Sequence, residues 1–250
     1  YRFHADFSER LGVNDDKLTK LDRYDTEIAA VDESIGELLQ GIKNTMKSAN
    51  LLVVLTADHG ESLGEHDYWG HGRYLYEPSL RIPLGIVWES EIAPRTVSAQ
   101  ATLLDLAPTL LELAGLDVPE ELPGHSWAAT ARGGDVGAEI SRCYQAHRGA
   151  VHGGSHDNDK KRSKGLLWVG TIDGDRKEMM QVNRQYLQLF DLGTDPEELK
   201  NQASHDTKAS DALLACLKEV AEGLGSFDRL TTQTLDDETV AQLKALGYLE

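Results

Sequence analysis

The feature that most constrains this chain is a run of five apolar residues at 51–55, LLVVL, ending in Ala57-Asp58-His59-Gly60-Glu61. The run is too short for a helix and shows no polar alternation, so it reads as a strand covered on both faces. Before it, Leu21, Tyr24, Ile28, Val31, Ile35, Leu38, Leu39 and Ile42 fall at steps of three and four. That is the period of a helix with one buried face. Asp22, Asp25, Glu27, Asp32 and Glu33 crowd its first half and Lys43 and Lys47 follow its last turns, which suits the helix dipole. A helix feeding a covered strand predicts an α/β layer sandwich.

Further along, residues 80–88, LRIPLGIVW, read as a second strand, with the missing N–H of Pro83 on an unpaired side. Residues 98–113 read as a helix that Pro108 kinks or restarts, with Gly115 as its C-cap. Past Gly124 the composition changes. Residues 133–164 are rich in Gly, Asp, Arg, Lys and His and read as loop, with a short strand near 140–145. KGLLWVGTIDG and QYLQLFDLG read as strands separated by a turn at Asp173-Gly174. A helix is expected at 211–224, with Leu213, Leu214, Leu217 and Val220 on one side, and a shorter one at 237–246. The division is an α/β lobe over 1–125 and a smaller α+β subdomain over 126–250.

Lys and Arg total 25 against 42 Asp and Glu, a formal net charge of -17. A field of that sign disfavours nucleic acid and anionic lipid as partners. It also means that an anionic substrate needs local positive charge, most simply a metal. No run approaches the ~18 apolar residues of a membrane span. Cys143 and Cys216 stand in no paired spacing. They read as two free thiols, which leaves the redox compartment open. The chain opens on Tyr1 without an apolar leader and is expected to be part of a longer protein, so export is also left open.

In doubly wound sheets functional groups gather just past the C-terminal ends of strands, where Asp58 and His59 stand. A carboxylate and an imidazole are a usual ligand pair for a divalent cation, and neighbours in a turn can reach one point. Gly60 allows the bend. Glu61 either begins a helical turn or orients His59. The alternative is a plain turn, with Asp58 capping it and His59 exposed.

The wider pattern resembles the sulfatases of the alkaline-phosphatase superfamily. Their elements stand here as Asp58-His59-Gly60-Glu61, Gly64-Glu65-His66, His71-Gly72, Tyr76-Glu77 and Arg81-Ile82-Pro83-Leu84. LQLFDLGTDPEELKNQA is similar to the family's segment ending Asp195-Pro196-Glu197-Glu198 and Asn201, and VAQLKALGYLE to a common sulfatase C-terminus. The fold implied is part of an alkaline-phosphatase-like three-layer sandwich, with the smaller α+β subdomain appended.

The resemblance implies a role for single residues. Asp58 and His59 match metal ligands, with Ca2+ first and Mn2+ or Zn2+ as alternatives because an imidazole suits softer ions. His71 matches the residue that contacts the sulfate or the leaving-group oxygen. Arg81 matches a structural residue, and His66 and Arg73 are candidates for the pocket wall. GAVHGGSH, residues 149–156, reads as loop.

The family nucleophile is a cysteine or serine in Cys/Ser-x-Pro/Ala-x-Arg, the cysteine oxidised to formylglycine. Arg142-Cys143-Tyr144 and Ala215-Cys216-Leu217 do not match. The chain therefore reads as the C-terminal half of a catalytic domain, with the formylglycine and further metal ligands in a missing N-terminal half. The function implied is metal-dependent hydrolysis of a sulfate ester on a small molecule or glycan, with the isolated chain inactive. Lys160, Lys161, Arg162 and Lys164 read either as contacts to a sulfated glycan or as solvated loop. Pairing with the missing half or self-association is expected, and a periplasmic or extracellular setting follows from the resemblance alone. The alternatives are a phosphodiesterase, phosphonate hydrolase or phosphoethanolamine transferase of the same superfamily, and a non-catalytic acidic binding module.

Overall fold

A computed structural model describes residues 10–12, 19–46, 50–136, 141–147, 166–204 and 207–226, with 221–226 given by backbone alone. The chain divides into two compact units. One comprises Tyr1–Thr56, Leu63–Trp69 and Leu84–Pro94; the other comprises Ala57–Ser62, Gly70–Pro83 and Arg95–Glu250. The expected strand start at 140, the loop at 149–156, the bases at 160–164 and the helix at 237–246 lie outside the described residues.

The first unit holds helix α1 (Lys20–Thr45), strand β1 (Val53–Thr56) and strand β4 (Leu84–Val87). The two-residue strands β2 (Ser62–Leu63) and β3 (Trp69–Gly70) fall between them in sequence. Helix α1 starts on a capping box. The Asp22 amide donates to Thr19 Oγ1 at 3.1 Å, and the Thr19 amide donates to Asp22 Oδ2 at 2.7 Å. Strands β1 and β4 pair antiparallel, in register from Val53 with Val87 to Thr56 with Leu84. Pro83 sits just ahead of that ladder, so its missing donor falls outside it.

Two expectations fail in this unit. The apolar stripe of α1 is open, with Ile28 52%, Val31 57% and Leu38 62% exposed. Strand β1 is not covered on both faces, since Leu55 is 49% exposed. The period correctly gives the element but does not supply the second layer that would bury its face.

The second unit is organised around an antiparallel sheet in the order β5-β6-β7-β8, formed by Arg142–His147, Leu166–Asp173, Arg176–Gln181 and Tyr186–Asp191. Side chains alternate across its two faces. Trp168, Met179 and Phe190 pack with Leu75 and Ala146 on one side. Val169 packs on the other with Leu213, Cys216 and Val220 of the C-terminal helix, Asp211–Ser226. Leu214 is not on that inner side; it is 51% exposed, and Cys216 takes the inward place.

Three further corrections concern this unit. The turn at Asp173-Gly174 leads into β7 rather than straight to β8. Residues 98–102 are not helical. A 3-10 turn at Leu103–Asp105 opens helix α3 (Leu106–Leu113), which follows helix α2 (Glu77–Leu80) in chain order. Finally, the cysteines are not free. Cys143 on β5 and Cys216 on the C-terminal helix form a disulfide with Cα atoms 5.3 Å apart, although 73 residues separate them. Folding brings them together at the helix-covered face of the sheet, a proximity invisible in sequence spacing.

Asp105 ties the turn before α3 to the sheet. Its carboxylate accepts from the Thr102 amide at 2.8 Å and the His125 amide at 2.6 Å, and it pairs with Arg142 at 2.7 Å. Burial pushes this carboxyl up, but the amide donors and the Arg142 charge outweigh burial and hold it below its ordinary value.

Candidate active site

The segment that follows β1 is held against α2 at two points. The Gly60 amide donates to Ser79 O at 2.9 Å, and the buried hydroxyls of Ser62 and Ser79 meet at 3.0 Å. A Cβ on residue 60 would stand 2.1 Å from Pro78 O. Glycine is therefore required here by close approach to another backbone, not by the freedom to bend that the sequence implies.

Asp58 and His59 share a local geometry. The His59 amide donates to Asp58 Oδ1 at 3.0 Å. On the ring, His59 Nδ1 lies 2.8 Å from Gly60 O. A carbonyl only accepts, so the ring proton sits on Nδ1 and Nε2 carries the lone pair. Nε2 stands 3.7 Å from Asp58 Oδ2. Two donors each about 2.1 Å from one ion stand no more than about 4.2 Å apart, so these two fit a shared cation. An imidazole that gives its other N–H to a backbone carbonyl is the usual form of a metal-ligating histidine. Among the described residues no group of three His, Cys, Asp or Glu side chains is placed to hold a metal.

His71 comes to the same place. Its ring centroid lies 3.8 Å from that of His59, with the planes tilted by 30°. Its Nδ1 lies 3.1 Å from Glu61 Oε2. Glu61 thus reaches His71 rather than orienting His59, and it begins no helix. His66 belongs to the first unit, in a turn where its φ is 52°. The Arg73 guanidinium lies 5.6 Å from the centre of the Tyr74 ring. The Arg81 side chain is exposed while its amide closes α2 on Glu77 O at 2.7 Å.

The remaining motif residues build the support behind this segment. Lys177 on β7 is 2% exposed and pairs with Glu77 Oε1 at 2.9 Å and Glu198 Oε1 at 2.7 Å. Glu198 also accepts from the Glu77 amide at 2.7 Å. Burial raises the Glu198 carboxyl above its ordinary value, against the pull of Lys177. Asp195 accepts the amides of Leu199 at 3.1 Å and Lys200 at 2.8 Å. Asn201 Oδ1 accepts those of Leu189 and Ala203, both at 2.9 Å. Sequence reasoning missed Lys177, since a lysine inside RKEMMQ looks solvated and its partners are distant in the chain.

Two family models match the chain: Sulfatase over residues 1–116, and N-sulphoglucosamine sulphohydrolase, C-terminal, over residues 64–223. The chain belongs to the sulfatase family. Arylsulfatase K of Xenopus laevis is 31% identical over 187 residues, covering 72% of this sulfatase chain and 33% of the relative. The putative sulfatase yidJ from Bacteroides fragilis superposes with a TM-score of 0.65 at 26% identity, over 84% of this chain and 45% of that one. A protein solved in complex with its substrate D-glucosamine-2-N,6-O-disulfate superposes with a TM-score of 0.60 at 25% identity, over 85% of this chain and 42% of that one. The sulfatase chain thus spans a third of the length of the curated relative. Among the described residues no helix is long and apolar enough to cross a membrane.

Proposed function

We propose that this chain supplies the leaving-group side and two metal ligands of an enzyme that hydrolyses sulfate esters, with a sulfated sugar as substrate. The observation that carries the reading is the convergence of Asp58 Oδ2 and His59 Nε2 at 3.7 Å, with the His71 ring stacked on His59 at 3.8 Å. The substrate class is supported by the relative solved with a disulfated glucosamine.

Asp58 and His59 hold the divalent cation, calcium first and manganese or zinc as alternatives. When bound, that ion supplies Lewis-acid stabilisation of the sulfate oxygens. His71, entering the step as an imidazolium, gives its Nε2 proton to the ester oxygen as the S–O bond breaks, so the alcohol leaves neutral and the ring is left neutral with its proton on Nδ1. Cys143 and Cys216 are bonded to each other, so neither serves as the formylglycine precursor in this fold. The attacking group is a formylglycine hydrate contributed from outside these 250 residues.

Metal content after equilibration with Ca2+, Mn2+ or Zn2+, read by mass spectrometry, tests the ligand assignment. About one ion per chain is expected for the wild type at sufficient metal, with at least a tenfold weaker Kd for Asp58→Ala and His59→Ala. Equal binding by all three chains would refute it. Turnover of an aryl sulfate by the 250 residues alone, above a His59→Ala control, would refute the shared-site reading.

A further inference from the structure

We propose that Glu61 is the positioning residue for His71: its carboxylate keeps the ring proton on Nδ1 and assigns chemistry at the reacting oxygen to Nε2. The proposal deepens the reading of His71 given above and rests on it for the word "reacting"; the proton's location does not depend on that reading.

The two side chains are unequal in a telling way. The Glu61 side chain is 13% exposed, against 49% for His71. A mostly buried carboxylate needs donors. Glu61 Oε2 finds one in His71 Nδ1 at 3.1 Å, and Oε1 is buried with no hydrogen-bond partner among the described residues. The neighbours of Glu61 on both sides are tied down, the Gly60 amide to Ser79 O and the Ser62 hydroxyl to that of Ser79. The carboxylate is therefore presented from a rigid segment, while the imidazole comes from an exposed one. One edge of the ring meets Glu61, and one face rests on the His59 ring. The carboxylate contact at the ring edge and the ring contact at its face together restrain the imidazole.

A carboxylate can only accept, so the shared hydrogen belongs to Nδ1. The proton that His71 passes to an ester oxygen is the second one, carried on Nε2 of the imidazolium, and the Nδ1 proton stays on the ring throughout. His59 carries its ring proton on Nδ1 as well, given to Gly60 O, so the two stacked rings hold the same tautomer for different reasons.

The test is a long-range proton–nitrogen correlation spectrum of the metal-free chain, labelled with 15N at histidine. It is recorded at mildly alkaline pH, with His71 assigned through His71→Asn. We expect Nδ1 protonated and Nε2 bare in the wild type. Glu61→Ala shifts the tautomer ratio by about tenfold toward Nε2–H, the scale of a lost hydrogen bond to a charged group. A wild-type His71 with its proton on Nε2, or an unchanged ratio in Glu61→Ala, overturns the proposal. The wild-type spectrum decides by itself should Glu61→Ala not fold. Since neither metal nor ester enters the measurement, loss of the metal-binding result would leave this one standing.

Discussion

The α-carbon of Gly60 faces the carbonyl of Pro78 so closely that a Cβ there would meet the oxygen at 2.1 Å. Backbone, not a flexible side chain, lies in the way, so Gly60→Ala forces the 58–62 segment off α2. A cost of about 1–3 kcal/mol is expected for such overpacking, read as a lower urea midpoint. Mn2+ affinity should fall by about tenfold or more in calorimetry, because the two proposed ligands before residue 60 move with it. An alanine variant with unchanged stability and affinity would remove the pin from the account of the site.

Removing the cation from the Lys177 cluster leaves two acids facing each other. The Glu198 side chain is 0% exposed, and among the described residues Lys177 is the cation that forms an ion pair with it, a partner that Lys177→Met removes. Loss of about 3–5 kcal/mol is expected, the range for breaking a buried pair from one side. Adding Glu198→Gln to that variant should restore part of the loss, since the second uncompensated charge disappears. Chemical denaturation of the wild type, the single and the double variant measures both effects.

Reducing the Cys143–Cys216 bridge frees a loop spanned by a separation of 73 residues. Chain entropy for a loop of that size corresponds to about 4 kcal/mol, within the roughly 2–5 kcal/mol seen for native bridges. Unfolding curves with and without reductant should differ by that order. A thiol assay on the denatured, unreduced chain should find no reactive sulfur.

Acid should weaken the second unit through Asp105 and Glu178. Burial pushes Glu178 up, but donors from Ser210 and the charge of Arg176 outweigh it, so both carboxyls sit below their ordinary values. The folded chain therefore binds fewer protons there than the unfolded one. The stability they contribute is present above the unfolded values, 4.5 for Glu178 and 3.8 for Asp105, and is lost as pH falls through them to the lower folded values. Asp105→Asn should flatten that part of a stability-against-pH curve.

The contrast between sequence and structure follows a physical line. Helix α1, the end of β1 and the helix over Cys216 were readable because each has a local period or a local stop. Strand β7 was not, because Lys177 and Glu178 interrupt the apolar alternation and are buried only through partners elsewhere. Glu77 stands 100 residues from Lys177. Asp58, His59 and His71, which the fold brings together, were legible as residue types in a spacing. The Glu61 contact to His71 was not, since ten residues of intervening turn decide which ring the carboxylate meets.

The DPEELKN tail has a consequence for how the chain behaves in company. Strand β8 is the outermost of its sheet, and such an edge ordinarily invites a foreign strand. At Leu189 both rungs are already taken, the amide by Asn201 Oδ1 at 2.9 Å and the carbonyl by the Gln202 amide at 2.8 Å. The tail thus blunts the margin against intermolecular strand addition, the route by which exposed edges seed fibrils.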